Sequence, residues 1–126
     1  MFHNRMEINI KTTKFDIPDN IREYIFKKMD KIARLTKSLK LPQEAKIEVA
    51  RTTEHHQKGD EIFLAEVNLK IGGILLRASA KEWDIKVAID AMHKNLEAEI
   101  RKFKDKKIAG YKKGARKAKE IMRESV

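Results

Sequence analysis

The sequence KEWDIKVAIDAMHKNLEAEIRKFKDKK, residues 81–107, is the segment around which the rest of the chain is arranged. Its large apolar residues recur at steps of three and four, which places them on one side of a helix turning about 100° per residue. They are Ile85, Ile89, Met92, Leu96, Ile100 and Phe103. An apolar stripe of this width predicts a helix that packs on a sheet.

The opposite side of this predicted helix is rich in cations, namely Lys86, His93, Lys94, Arg101 and Lys104. Asp90 and Glu97 each precede a cation by four residues, a spacing that stabilises a helix by a few tenths of a kcal/mol. Taken alone, this side is explained most simply as a solvated surface.

A second amphipathic helix is predicted to begin near Pro18–Asp19, because proline suits the first turn and aspartate the positive end of the helix dipole. Its apolar stripe comprises Ile21, Tyr24, Ile25, Met29, Ile32 and Leu35 or Leu39. Lys27, Lys31 and Arg34 form a separate stripe with Lys28 beside it, and residues 27–40 hold six cations and one acid. The lack of compensating acids favours anion binding on this stripe.

Four segments have the alternation typical of strands: residues 7–12, 46–51, 62–71 and 74–80. Gly72-Gly73, between the last two, predicts a hairpin. The chain is therefore predicted to be an α+β domain of order β-α-β-β-β-α, with one four-stranded sheet and both helices packed on one face. The strand-helix-strand start favours parallel or neighbouring first strands.

The composition favours a single domain and a polyanionic partner. The chain has 126 residues and a net charge of +10, of which +8 lies in residues 101–126. We expect a folded domain at residues 1–107 and a basic tail at 108–126, which either is flexible or orders on a partner. Without cysteine, a signal core or an apolar span, a cytoplasmic location is expected.

No residue pattern indicates catalysis. His55-His56 lies in a predicted polar loop without a third metal ligand at suitable spacing, and Ser79 lacks a nucleophile motif. We therefore predict no enzyme activity, no metal and no cofactor. Aromatic residues make up 6% of the chain, which argues against a stacking platform for single strands. Trp83, near the start of the second helix, is predicted to pack.

Two helices side by side on the sheet would join their cations into one positive ridge. Such a surface recognises RNA by its backbone and shape rather than by base edges. If six phosphates were neutralised, log K would fall with log salt at a slope of roughly −4 to −5.

The β-α-β-β-β-α order, the segment IPDNIREYIFKKMDKI and the segment LRASAKEWDIKVAIDAMHKNLEAEIRKFKDK resemble the ribosome hibernation-promoting factor and ribosome-associated inhibitor family, also called sigma modulation proteins. The most specific part is the triplet at 88–90 with the trailing basic RKFK run. The resemblance implies binding to ribosomal RNA of the small subunit, in the channel for messenger and transfer RNA near the A and P sites, and repression of translation during starvation or stationary phase. We therefore expect neither a membrane partner nor a small-molecule substrate. We also expect the protein to be a monomer when it is not bound to the ribosome.

The resemblance also implies RNA-binding positions. Those that match the family are Lys28, Lys31, Arg34, Arg77, Lys81, Arg101, Lys102, Lys104 and Lys106, and the charge pattern alone adds Lys27, Lys86 and Lys94. The chain departs from the family at Lys86, usually aromatic, at Trp83, commonly an acid, and in its basic tail, since some short members end in an acidic one. Two alternatives stay open: a general double-stranded RNA-binding module, and a protein-interaction adaptor that modulates a transcription factor.

Overall fold

The computed structural model describes residues 6–52 and 62–124, and for residues 107–124 it describes the backbone alone. The elements are β1 (Met6–Thr13), α1 (Asp19–Thr36), a 3-10 turn (Lys37–Leu39), β2 (Gln43–Thr52), β3 (Ile62–Ile71), β4 (Ile74–Glu82) and α2 (Ile85–Glu124). This order confirms the predicted β-α-β-β-β-α arrangement. The predicted extension at 1–5 and the loop with His55 and His56 lie outside the described residues.

The four strands form one sheet in the order β1-β2-β3-β4. β1 and β2 are parallel, with Met6 opposite Gln43, so α1 is the crossover that parallel strands require. β2, β3 and β4 form an antiparallel meander. Gly72 has a φ of +58° in the β3–β4 turn, a conformation that glycine adopts at no steric cost.

Both helices cover the same face of the sheet, as predicted. Alternate strand residues point towards them, and they are buried: Ala45, Ile47 and Val49 in β2, Ala65, Val67, Leu69 and Ile71 in β3, and Ala78 in β4. The helices bury Ile21, Ile25, Met29 and Ile32 from α1, and Ile89, Met92, Leu96 and Ile100 from α2. These residues form one continuous apolar core.

A buried polar pair fixes the end of α1 against the sheet. The hydroxyl of Thr36 donates a hydrogen bond to Oε1 of Gln43 at 2.6 Å, and Nε2 of Gln43 donates to the carbonyl of Thr36 at 3.2 Å. Both residues are buried away from water, so each supplies the hydrogen-bond partner that the polar side chain of the other needs. The last turn of α1 is thereby held at the start of β2.

The end of the fourth strand differs from the prediction. The predicted strand ends at residue 80, but β4 continues through Lys81 and Glu82, which pair with Leu64 and Phe63. α2 begins at Ile85. Oδ1 of Asp84 accepts hydrogen bonds from the backbone N–H groups of Lys86 at 2.9 Å and Val87 at 3.1 Å. Asp84 is therefore the N-cap of α2.

The far end of α2 crosses the predicted domain limit. The backbone of the helix continues past residue 107 to Glu124. The division into a domain and a basic tail at residue 107 stays a prediction.

Truncating the α2 core contact tests this packing. Leu96→Ala is expected to lower the free energy of unfolding by about 2–5 kcal/mol, because the Leu96 side chain is completely buried and leaves a cavity. Chemical denaturation measures the change. Leu75→Ala is the matched control, since Leu75 is 55% exposed at the start of β4, and should change stability by about 0.5 kcal/mol or less. Equal losses in the two variants would contradict the described core.

Candidate nucleic-acid interface

α1 and α2 lie side by side and run in the same direction along the sheet. Tyr24, early in α1, contacts Asp90, early in α2, while Lys104 further along α2 reaches Leu35 in the last turn of α1. Between the helices is an open groove, here called the interhelical groove, lined by Lys28, Lys31, Arg34, Leu35, Asp90, His93, Lys94 and Glu97. The core contacts of the two helices thus bring the two predicted cationic stripes together.

A cluster around Asp90 forms the first end of the groove. The Tyr24 hydroxyl donates a hydrogen bond to Oδ1 of Asp90, and Nζ of Lys28 lies 3.2 Å from the same oxygen. The ammonium groups of Lys28 and Lys86 lie 5.4 and 5.6 Å from the centre of the Tyr24 ring, within the range of cation–π attraction. Two cations therefore share one aromatic ring, and one of them, Lys28, also pairs with the Asp90 carboxylate.

The ionisation of this cluster follows from its contacts. The hydrogen bond to Asp90, helped by partial burial, raises the pKa of the Tyr24 hydroxyl. Burial opposes ionisation of Asp90, but the hydrogen bonds from Tyr24 and Lys28 outweigh it and lower the pKa of the carboxyl. Burial likewise works against the Lys28 ammonium, and the contact with Asp90 outweighs it, so the pKa of Lys28 is raised. Asp90 and Lys28 are thus both charged at neutral pH.

His93 lies in the floor of the groove and is 7% exposed, which corrects its predicted place on the solvated cationic side. Its Nδ1 lies 3.1 Å from Oε1 of Glu97, and its Nε2 is buried without a hydrogen-bond partner among the described residues. Burial lowers the pKa of His93, and the nearby charges of Lys28 and Lys31 lower it further against the opposing effect of Glu97. The imidazole is therefore neutral at neutral pH.

At the far end of the groove, Nζ of Lys104 donates a hydrogen bond to the carbonyl of Leu35 at 3.0 Å. This carbonyl belongs to the last turn of α1, where the helix dipole favours a cation. Lys104 is thereby half-buried and serves the contact between the helices as well as the charge of the surface.

Acids neutralise part of the predicted cationic surface. Arg34 pairs with Asp30 at 2.8 Å, and Arg101 pairs with Glu97 at 3.4 Å. Within the described parts of the chain, by contrast, the ion pairs include no acid opposite Lys31 or Lys94, and both side chains are exposed. Lys31 and Lys94 are thus the uncompensated charges of the groove. Lys27 is exposed on α1 but does not line the groove.

Four predicted residues lie elsewhere. Strand alternation turns Arg77 and Lys81 away from the helices, because the side chain of Ala78 between them is buried. Nε of Arg77 donates a hydrogen bond to Oδ1 of Asn68 at 2.7 Å on that open face. Lys102 joins Arg77 in a shallow depression beside the β4 edge, and Lys106 follows Lys102 by one helical turn. The predicted residues therefore do not form one continuous ridge, because Arg77, Lys81, Lys102 and Lys106 lie apart from the interhelical groove.

The prediction that Trp83 packs is wrong, since its side chain is 72% exposed. Trp83 lies directly before the N-cap, outside both β4 and α2, where neither element's buried face includes it. The contact between Tyr24 and Asp90 was also missed, because no sequence signal links residues 66 positions apart.

Comparisons with known proteins agree with this architecture. A family model described as "Sigma 54 modulation protein / S30EA ribosomal protein" matches residues 8–108. The Protein Y N-terminal domain of Thermus thermophilus is 26% identical over 78% of this chain and 99% of that chain, with a TM-score of 0.61. A ribosomal subunit interface protein from Coxiella burnetii is 21% identical over 79% and 99%, with a TM-score of 0.64, and shows the fold. Among curated proteins, no significant match was found.

None of the helices in the described residues is long and apolar enough to cross a membrane. In the same residues, no group of three or more His, Cys, Asp or Glu side chains is arranged to hold a metal ion.

The buried imidazole predicts a loss of stability in mild acid. In the unfolded chain the pKa of His93 returns to its ordinary value of about 6.5. Below that pH the unfolded state therefore binds a proton that the folded state does not bind. The free energy of unfolding should therefore fall as the pH drops through about 6.5, until the lowered folded-state pKa is passed. Denaturant titrations between neutral pH and pH 5 measure this slope.

His93→Leu should remove most of the slope while keeping the other three histidines of the chain. An unchanged slope in this variant would mean that His93 is not the group responsible.

Proposed function

Because the chain belongs to the Sigma 54 modulation protein / S30EA ribosomal protein family, we propose that it is a cytoplasmic ribosome hibernation factor that represses translation under stress or in stationary phase. It binds ribosomal RNA of the small subunit in the channel for messenger and transfer RNA, near the A and P sites. The structural neighbour titled a ribosomal subunit interface protein is consistent with a partner of this kind.

The observation that carries this proposal is the charge of the interhelical groove. With its flanks, the groove holds seven cations and three acids: Lys28, Lys31, Arg34, Lys86, Lys94, Arg101 and Lys104 against Asp30, Asp90 and Glu97. An excess of positive charge focused between two rigid helices attracts a polyanion. Phosphate groups of folded RNA are a partner of matching charge.

The placement of cations on both flanks of α2 favours a channel over a plain duplex. Lys94 faces the interhelical groove, whereas Lys102 lies at the β4 edge on the other flank. A straight RNA duplex that contacts the domain on one side would engage one flank of α2. RNA that folds around the exposed side of α2 can contact both flanks. This arrangement supports folded ribosomal RNA as the partner.

The mechanism is competition for space and requires no chemistry. Phosphate contacts hold the domain in the channel, and its volume excludes messenger and transfer RNA. RNA recognised in this way is selected by its shape, since lysine and arginine contacts to phosphate carry no sequence information.

Cosedimentation with small ribosomal subunits tests the proposal. The chain should sediment with the subunits, and saturating initiator tRNA should displace it. Full occupancy of the same subunits by both molecules would refute the proposed site. Comparable affinity for a plain RNA duplex would instead identify a general double-stranded RNA-binding module.

The uncompensated lysines predict the salt dependence. A net excess of four cations implies about four neutralised phosphates and a slope of log K against log salt of about −3 to −4 for the wild-type chain. Lys31→Ala and Lys94→Ala should each weaken binding to small subunits and reduce the magnitude of the slope by about 1.

Lys70→Ala is the matched control, because Lys70 is an exposed lysine on the sheet face that points away from the helices. It should leave the slope unchanged. If Lys70→Ala has the same effect as Lys31→Ala, binding follows total charge rather than the interhelical groove.

A further inference from the structure

Trp83 is the one tryptophan of the chain, and the fold leaves it in solvent. At 72% it is the most exposed of the large apolar side chains in the described residues. A large aromatic side chain exposed in this way is characteristic of a binding surface, because indole supplies a wide rigid contact area.

The backbone around Trp83 is held on both sides. Before it, Glu82 still pairs with Phe63 in the sheet. After it, Asp84 caps α2 with two hydrogen bonds to backbone N–H groups. The indole is thus carried by an ordered junction between β4 and α2, and little backbone entropy is lost when it makes a contact.

Packing within the domain does not account for this residue. A residue directly before the N-cap commonly packs on the fourth residue of the helix, which is Ala88 here. Ala88 is a small side chain, and Trp83 stays 72% exposed, so most of the indole remains in solvent.

Trp83 directly precedes the N-cap of α2, the helix that contributes Asp90, His93 and Lys94 to the interhelical groove. Three residues after Trp83, the ammonium group of Lys86 is 5.6 Å from the centre of the Tyr24 ring. The residues directly before and after Trp83 are the acids Glu82 and Asp84 rather than cations. Trp83 therefore adds an aromatic face at the start of α2 rather than further positive charge.

We propose that the Trp83 indole stacks on an unpaired nucleobase of the RNA that lies along the interhelical groove. This inference rests on the proposed function and adds a base contact to its phosphate contacts. Stacking on an aromatic side chain requires a base that has left its helical stack, as in loops and bulges of folded RNA. Since every base has a π face, the contact tolerates any sequence.

Binding of three variants to small ribosomal subunits tests the inference. Trp83→Ala should raise the dissociation constant about 5- to 150-fold, the range expected for loss of one base–aromatic stack. Trp83→Phe should retain most of the affinity because it keeps a ring. Leu75→Ala, which truncates another exposed apolar residue at the far end of β4, should bind as the wild type does.

Two further measurements separate stacking from other causes. The slope of log K against log salt should be the same in Trp83→Ala as in the wild type, because no phosphate contact is removed. Thermal unfolding of Trp83→Ala should also match the wild type, since the side chain is largely in solvent. A second probe is 5-hydroxytryptophan at position 83, whose emission can be excited apart from ribosomal tryptophans and should be quenched by protein-free ribosomal RNA.

The outcomes are distinguishable. If wild-type chain binds small subunits and Trp83→Ala binds equally well, the stacking contact is overturned and the proposed function stands. If Trp83→Ala binds weakly but protein-free ribosomal RNA leaves the emission unchanged, Trp83 contacts a ribosomal protein, and stacking is again overturned. Failure of the wild-type chain to bind small subunits overturns both proposals.

Discussion

The packing of α1 and α2 against each other, over one face of a single sheet, is the constraint on which the rest of this structure depends. Ile25, Met29 and Ile32 from α1 and Ile89, Met92 and Leu96 from α2 are completely buried in one core. Helices that share a core in this way lie about 8–10 Å apart, so the polar residues at the edges of their apolar stripes face each other across a narrow groove. The bonds between Thr36 and Gln43, and the cap formed by Asp84, fix each helix along its own axis. Apolar burial therefore sets the spacing of the charged groups.

Bringing two cationic stripes together creates repulsion, which the structure offsets locally. Asp90 accepts a hydrogen bond from Tyr24 and pairs with Lys28, while Glu97 lies beside His93 and Arg101. The acids that stabilise the unbound domain are concentrated around particular cations rather than spread along the groove. Consequently, in the described part of the chain no acid pairs with Lys31 or Lys94, and both can contact a partner's negative charge. A neutral, buried His93 avoids adding a further positive charge beneath them.

The two faces of the sheet differ in their capacity to bind a polyanion. The open face mixes acids and bases, as where Lys46 lies 3.6 Å from Glu44, and its charges are largely matched within the sheet. The helical side carries the excess of cations, and α2 presents them on both flanks through Lys94 and Lys102. A ligand that surrounds α2 meets both sets, together with the indole at the start of the helix. This asymmetry between the faces is the reason for placing the proposed RNA contact on the helical side.

Hydrophobic periodicity in the sequence specified the element order and the core faces of both helices, because a period of 3.6 or 2 follows from backbone geometry alone. The glycine pair at 72–73 predicted the hairpin, whereas the sequence left the first two strands either parallel or merely neighbouring, and the structure shows them parallel. The cations of the groove could also be predicted, since they lie beside those apolar stripes. Tertiary structure alone decided which charges are compensated, because the partners of Tyr24 and Lys28 are more than 60 positions away. It also decided that Arg77 and Lys102 form a separate surface, that His93 is buried and that Trp83 is not. Each of these depends on which neighbouring element covers a side chain, and burial by a distant segment leaves no periodic mark in the local sequence.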